Sequence, residues 1–450
     1  MSSSAELLPQ TTRHLSRLTR LAQNESKVPG LVAGVARHGT VLWSEGVGRA
    51  DLTDDSVPLG ADTQWPVASN TKTFVASMIM QLRDEGRLRL DDTVDTHIPE
   101  STHGNVTVRQ LLSHTTGMQR EPIGDVWDVL KFPDRAALIT GWNDAERIMR
   151  PHYRWHYSNL CYAMLGEIIA RLDGREWTQS LQHRLLDPLE LRRTTIGLVE
   201  PHSRQYYVSP VTDVPVDEPA LTFDAMSAAG AICSTLSDMV RWHGFLLDPD
   251  SSVLSPDTVE EMRQPLVTVD AGWNESWGLG LELVRSGGRV WFGHTGGLPG
   301  AITGFFSEAE SGTTAAVLMN NSSAKDPAGT AIKLGTHVIE HDPEEVDAWT
   351  PGTVAPAELL PLLGQWYSEG VAFTFAIADG RLTARIDRAP ASTPPSVFER
   401  IEDDCYRTIS GGERGERLVI RRREDGSVRQ LNWATYRFTR QPLGFAEPTP

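Results

Sequence analysis

The sequence predicts an α/β domain, an antiparallel sheet flanked by helices and carrying a helical insertion, followed by a small all-β barrel. Three observations lead there. Strand-like segments stand at both ends of the first part of the chain with helical periodicity between them, a Pro-rich acidic stretch follows, and beyond it short strands alternate with turn signals.

Residues 11–27 put Leu15, Leu18, Leu21 and Ala22 on one helical face. Residues 30–37 and 40–45 read as two strands joined by a tight His38-Gly39 turn. Pro66 precedes a helix whose Phe74, Val75, Met78, Ile79 and Leu82 recur at helical spacing until Gly86. From there to about residue 290 the pattern is largely helical with long loops, including helices at 109–112, 160–170 and 238–247. Strands return at 289–292, 301–306 and 313–319, before a helix over 328–340. The first two and last three strands are expected to share one sheet, with the insertion carrying loops over one edge. Residues 343–357 read as a linker, which gives a domain of residues 1–342 and a second of residues 358–450. In the second, strands at 365–367, 372–378, 381–388, 397–401, 405–409, 417–422 and 428–433 are separated by turns such as Asp379-Gly380, Gly411-Gly412 and Asp425-Gly426. About eight such strands suit a small closed barrel or sandwich.

Composition narrows the function classes. The 450 residues carry a formal charge of −17, which argues against a nucleic-acid surface and against anionic membrane as partners. Cys161, Cys233 and Cys405 lie far apart with no paired spacing, so a disulfide framework is not expected and a reduced compartment fits. The first ten residues lack a basic segment leading into an apolar run, and no later run has membrane-spanning length, so a cytoplasmic protein is expected.

The chemistry concentrates around Ser69. Ser69-x-x-Lys72 at a helix start puts both side chains on one face, roughly 5–6 Å apart at Cβ, within reach of each other. An ammonium cannot accept a proton, so Lys72 serves as base only where burial or positive charge lowers its pKa. Tyr157-Ser158-Asn159 lies on a loop before a helix, and His294-Thr295-Gly296-Gly297 at the start of a strand. Tyr157 can relay a proton between Ser69, Lys72 and a leaving group, and Asn159 can orient a substrate carbonyl. The strand through His294, Thr295, Gly296 and Gly297 can dock an extended peptide, with the N–H groups of Ser69 and Gly297 as oxyanion hole. His114 and Thr115 read as structural, and Cys161 as a core contact. His337-Val-Ile-Glu340-His341 formally matches a zinc-hydrolase pattern, but it runs straight into Asp342-Pro343 and no clear third ligand follows. No metal site and no cofactor are expected.

The ordered set Ser69-x-x-Lys72, Tyr157-x-Asn159, His294-Thr295-Gly296 resembles the class C β-lactamase and penicillin-binding-protein superfamily of serine enzymes. Segments 90–95, 107–117 and 229–235 look like further landmarks of that superfamily, and the likeness covers about residues 10–340. His294 stands where the superfamily often carries Lys, a pattern of its esterase- and peptidase-like members that speaks against efficient β-lactam hydrolysis. No glutamate analogous to the class A deacylating base is identifiable. The resemblance implies a β-lactamase/transpeptidase-like fold and an acyl-enzyme at Ser69. With its lipocalin-like barrel the chain is similar to penicillin-binding-protein-type thioesterases, which cyclise nonribosomal peptides. That likeness implies head-to-tail macrocyclisation of a peptide ending in a D-residue, presented as a carrier-protein thioester by a nonribosomal peptide synthetase. The alternatives are a cytoplasmic esterase or D-amino-acid-directed peptidase or amidase, and an inactive protein that uses the barrel as a ligand pocket.

Overall fold

Gly30–Arg37 (β1) is apolar on both faces, as a strand covered on both sides must be. Its Leu31, Ala33 and Val35 pack with Leu15 of helix α1 (Pro9–Glu25) and with Ile332, Leu334 and Val338 of the helix Pro327–His341. Val32 and Ala36 point the other way, into a larger core shared with the helical insertion. Thr40–Gly48 (β2) pairs with β1 across the His38-Gly39 turn and closes one edge. The remaining strands of the sheet are Val267–Thr268 (β3), Glu275–Trp277 (β4), Glu282–Ser286 (β5), Arg289–Leu298 (β6), Ala301–Glu308 (β7) and Thr313–Met319 (β8). They run in the order β2-β1-β8-β7-β6-β5-β4-β3, every neighbouring pair antiparallel.

This sheet has eight strands where five were expected, and the additional three lie in the stretch read as helix and loop. Two of them are only two or three residues long, too short to show an alternating pattern, and β5 begins with a buried glutamate.

The helix Thr71–Asp84 (α2) is buried from Thr71 to Leu82, on every side, so its sequence shows little polar face. It is held by Asn159–Asp173 (α3) and by Leu236–Leu247 (α4), whose Trp242 stacks on Phe74 at 4.1 Å and donates its indole N–H to Thr73 Oγ1 at 2.9 Å. Ser158 caps α3 by accepting the Cys161 N–H at 3.3 Å.

The computed structural model describes residues 6–345, 348–351, 354–390, 392–444 and 446–449. The chain divides into two compact units, Met1–Glu345 and Val346–Pro450. The expected linker includes residues 346, 347, 352 and 353, and the N-terminal segment read for a leader includes residues 1–5, all outside the described residues. Among the described residues no helix is long and apolar enough to cross a membrane.

The second unit contains Gly364–Ser368 (β9), Val371–Ala378 (β10), Arg381–Ile386 (β11), Ser396–Glu402 (β12), Cys405–Ser410 (β13), Arg417–Arg422 (β14), Val428–Trp433 (β15) and Tyr436–Phe438 (β16). They pair in sequence order, all antiparallel. Tyr367 of β9 and Thr439, just after β16, exchange backbone hydrogen bonds of 2.8 and 3.0 Å, which brings the sheet's two edges together into a nearly closed barrel. Trp366, Phe375, Phe398, Trp433 and Phe438 fill its interior.

Because Trp242 both packs and hydrogen-bonds behind α2, its replacements separate the two terms. Trp242→Phe is expected to lose about 1 kcal/mol for the indole bond, and Trp242→Ala about 3–5 kcal/mol. Denaturant unfolding followed on the first unit's transition checks both values.

Candidate active site

Ser69 sits on a 3-10 turn, Ala68–Asn70, one step ahead of α2 and not inside its first turn as the motif predicts. The displacement comes from Ala68, whose φ of +50° is left-handed and unusual for a residue with a Cβ. The turn is pinned on several sides. Asn70 Nδ2 donates to Val67 O at 3.0 Å and to Thr303 Oγ1 at 3.1 Å on β7, and Val67 N–H donates to Ile232 O at 3.0 Å. Gly296 of β6 lies so close that a Cβ there would stand 2.4 Å from Val67 O and 3.1 Å from Ala68 Cβ. The absence of a side chain at 296 is what lets β6 abut the nucleophile turn.

Lys72 is fully buried. Its Nζ lies 3.1 Å from Ser69 Oγ, 2.8 Å from Asn159 Oδ1 and 2.5 Å from Ala229 O. Burial pushes its pKa well below the usual lysine range, and Arg120 adds to that effect while Glu121 opposes it. A neutral amine has two N–H bonds and one lone pair. In that form Asn159 and Ala229 offer two carbonyl oxygens for the N–H bonds and leave the lone pair for the Ser69 hydroxyl. That arrangement makes Lys72 a proton acceptor for Ser69.

Tyr157 is oriented by a residue read as purely structural. His114 caps the helix Val108–Ser113 in a left-handed conformation, its Nδ1 accepts the Ser158 N–H at 3.1 Å, and its ring lies 4.3 Å from that of Tyr157. The Tyr157 ring also faces Lys72 Nζ at 4.9 Å and the Arg120 guanidinium at 4.8 Å. Burial raises the phenol's pKa despite the hydrogen bond with Ser69, so Tyr157 keeps its proton and acts as a donor. Asn159 follows the Ser158 cap as the first residue of α3, with its N–H on Arg120 O at 2.8 Å and its Nδ2 on Glu121 Oε1 at 2.6 Å.

His294 lies in the middle of β6, which is longer than the expected 289–292 strand, and it is buried. Burial first and Lys72 second hold its pKa at about 3, so the imidazole is neutral. Its Nδ1 donates to the Thr295 carbonyl, and its ring meets Trp277 edge-on at 5.2 Å. Thr295 is half-buried, Gly296 buried and Gly297 exposed, and Gly297 lines the same small cavity, about 30 Å³, as Ser69 and Asn159. Trp127, Phe132, Phe223, Met226 and Leu298 supply its apolar walls. Phe223, Gly230 and Leu298 also line a larger trough of about 470 Å³.

The structure therefore brings Ser69, Lys72, Tyr157, Asn159, His294 and the Thr295-to-Gly297 strand to one place. Glu121, the Ala229 carbonyl and Trp277 join them without having been singled out, and so does the ring of His114, which was read as structural only. Only Ala229 and His114 carried a signal, as members of the two landmark segments. His337 and His341 lie at the end of Pro327–His341 (α5), where His337 stacks on His341 at 4.2 Å and on His14 at 3.9 Å. Among the described residues no group of three or more His, Cys, Asp or Glu is placed to hold a metal ion.

A family model described as Beta-lactamase matches residues 15–336, and a model described as a domain of unknown function (DUF7586) matches residues 355–440. Beta-lactamase-like protein 2 of Dictyostelium discoideum is 26% identical over 290 residues, which is 59% of this chain and 51% of that protein. The chain thus spans about half the length of that relative. A D-stereospecific amidohydrolase from Streptomyces sp. superposes with a TM-score of 0.62 at 26% identity, covering 72% of this chain and 98% of the other. SurE superposes with a TM-score of 0.59 at 21% identity over 96% of this chain and 99% of its own, a likeness of fold that extends through both units.

Three outcomes are expected from labelling with a fluorophosphonate probe. Ser69→Ala abolishes labelling, and the wild-type rate falls on acidification, because protonation removes the Lys72 lone pair. Lys72→Ala lowers the rate by about 10²–10⁴-fold and flattens that pH dependence. Rate profiles of the three proteins check this.

Proposed function

The chain belongs to the beta-lactamase family, and from that premise we propose that it releases a nonribosomal peptide from a carrier-protein thioester by head-to-tail cyclisation. The reaction would be that of a serine acyl-transfer enzyme of the β-lactamase and penicillin-binding-protein superfamily.

In the proposed reaction Ser69 Oγ attacks the thioester carbonyl as its proton passes to Lys72 Nζ. The oxyanion meets the N–H groups of Ser69 and Gly297. The C–S bond then breaks, the thiol leaves with a proton supplied through Tyr157, and the peptide is held as an ester on Ser69. The peptide's own amine attacks that ester, its proton returns through the same groups to Ser69 Oγ, and the cyclic amide departs. No cofactor takes part in these steps. The observation that carries the reading is the buried Lys72 with both N–H bonds engaged by carbonyl oxygens, since it equips Ser69 for acyl transfer. The apolar walls around Ser69 favour an amine over water by keeping the ester dry. A donor with a D-configured terminal residue accords with the name of the amidohydrolase at 26% identity.

That same relative favours a second reading, hydrolysis of D-amino-acid amides or esters. The two differ in product mass. A linear peptide thioester with a D-configured C-terminal residue is expected to give a macrocycle, lighter by one water than the acid, while its L-epimer is left unprocessed. Mass spectrometry of the products decides, and exclusive hydrolysis over a broad panel of such thioesters would overturn cyclisation.

A further inference from the structure

β6 outruns its neighbour. The β5–β6 ladder ends at the pair Glu282↔Gly293, so from Thr295 onward β6 has no β5 residue opposite it. Gly297 and Leu298 of that stretch line the Ser69 cavity. The first rung past the ladder is completed by a side chain instead of a strand. Glu282 Oε2 accepts both the Thr295 N–H at 3.1 Å and the Thr295 hydroxyl at 3.2 Å.

A buried carboxyl is an uncommon choice behind a substrate-docking edge. Glu282 is 7% exposed. Burial first and the Glu275 carboxylate on β4 second push its pKa up to about 7, while the two Thr295 bonds pull it down. Tyr157 faces it from the loop before α3 and is protonated, and the nearby His294 is neutral with its one N–H spent on the Thr295 carbonyl. The Thr295 hydroxyl gives its proton to Glu282 and so has only lone pairs left for a group that docks along the strand running on to Gly297 and Leu298. A group arriving at Thr295 meets acceptors and negative charge. Such a wall repels an anion and is indifferent to a neutral group.

Resting on the acyl-transfer reading above, we propose that Glu282, acting through Thr295, sets the leaving-group specificity of this site: donors whose leaving group ends in a free carboxylate are excluded, and uncharged leaving groups are admitted. Glu282 is a positioning residue in this account, since it reaches the substrate through the Thr295 hydroxyl and the charge behind it. Peptides ending in a free D-residue, the donors of a carboxypeptidase, are then poor substrates. Amides, esters and thioesters of neutral thiols are good ones.

The test uses the full chain and two thioesters with one acyl group, N-benzoyl-D-alanyl-thioglycolate and its methyl ester, with thiol release as the readout. At pH 8.5 the wild type is expected to prefer the methyl ester by at least about tenfold in kcat/KM beyond the ratio of the two rates with free hydroxylamine. Glu282→Gln is expected to bring the ratio close to that chemical baseline, chiefly by lowering KM for the carboxylate donor. The wild-type ratio itself is expected to shrink as pH falls through about 7, where Glu282 takes up a proton, and to stay level in the variant. The acid-side loss of Lys72 reactivity is common to both donors and cancels in the ratio. A wild-type ratio at baseline, or one that neither the substitution nor acidification moves, would overturn the proposal. The wild-type pH series carries the test even if Glu282→Gln does not fold. Failure of both thioesters together with failure of a fluorophosphonate to label Ser69 would instead bring down acyl transfer, and this proposal with it.

Discussion

The contact of the Lys72 amine with the Ser69 hydroxyl is the constraint from which the rest of the first unit follows. A lysine in water is an ammonium with no lone pair to offer, and only removal from solvent turns it into a base at neutral pH. The fold supplies that removal by burying α2 on every side. Burying an amine without partners would be costly, so its two N–H bonds meet Asn159 Oδ1 and Ala229 O. Those acceptors come from α3 and from the segment before residue 230, elements far apart in sequence that converge because both pack on α2. The base is thus a product of the whole helical insertion, and the sheet's part is to hold the nucleophile in front of it.

That second task falls to β6. Its glycine at 296 lets a strand and a turn approach more closely than any side chain permits, and Ala68 takes a left-handed conformation on the other side of the same contact. Strain at Ala68 persists because Asn70, Val67 and Thr303 fix the turn from three directions. The neutral imidazole of His294 belongs to the same economy. Lys72 adds to the burial that holds His294 uncharged, and Tyr157 beside them both keeps its proton. Burial thus biases Lys72, Tyr157 and His294 toward their uncharged forms, the condition under which a proton passes among them with little reorganisation.

What the sequence disclosed and what it concealed divides along physical lines. Motifs with fixed spacing were legible: Ser69 to Lys72 is one helical turn, and the strands at the two ends of the first part of the chain stood out between turn residues, with residues 313–319 matching the observed strand. The barrel was legible too, because closed sheets need alternating side chains and tight turns, although β16, three residues long, gave no pattern. The missing strands β3 and β4 were invisible for the same reason and β5 because it opens on a buried glutamate, and their loss hid Trp277 and Glu282, which reach the site only through cross-strand register. Glu121 was hidden differently. A lone acidic residue on a loop carries no periodicity, and only the three-dimensional path of the chain brings its carboxylate onto Asn159 Nδ2. His114 was seen but undervalued, since a left-handed helix cap and a ring that orders Tyr157-Ser158-Asn159 are one residue doing two jobs.

The proton inventory of the site bears on how an acyl-enzyme would be resolved. Acylation by a thioester takes a proton from Ser69 to Lys72 and delivers one through Tyr157 to the departing sulfur. Aminolysis runs the same sequence backward with nitrogen in the place of sulfur: the incoming amine yields a proton along the path the thiol received one, and Ser69 Oγ is reprotonated from Lys72. By microscopic reversibility the groups that suffice for the first step suffice for the second. Hydrolysis would use the same path with water in place of the amine, so the two outcomes part on the access of water to an ester whose walls are Trp127, Phe132, Phe223, Met226 and Leu298. The sequence offered no glutamate in the position of a deacylating base. The carboxylates nearby, Glu121 and Glu282, are already committed to Asn159 and Thr295. The proposed end of the reaction as an amide therefore rests on those apolar walls and on the commitment of both carboxylates.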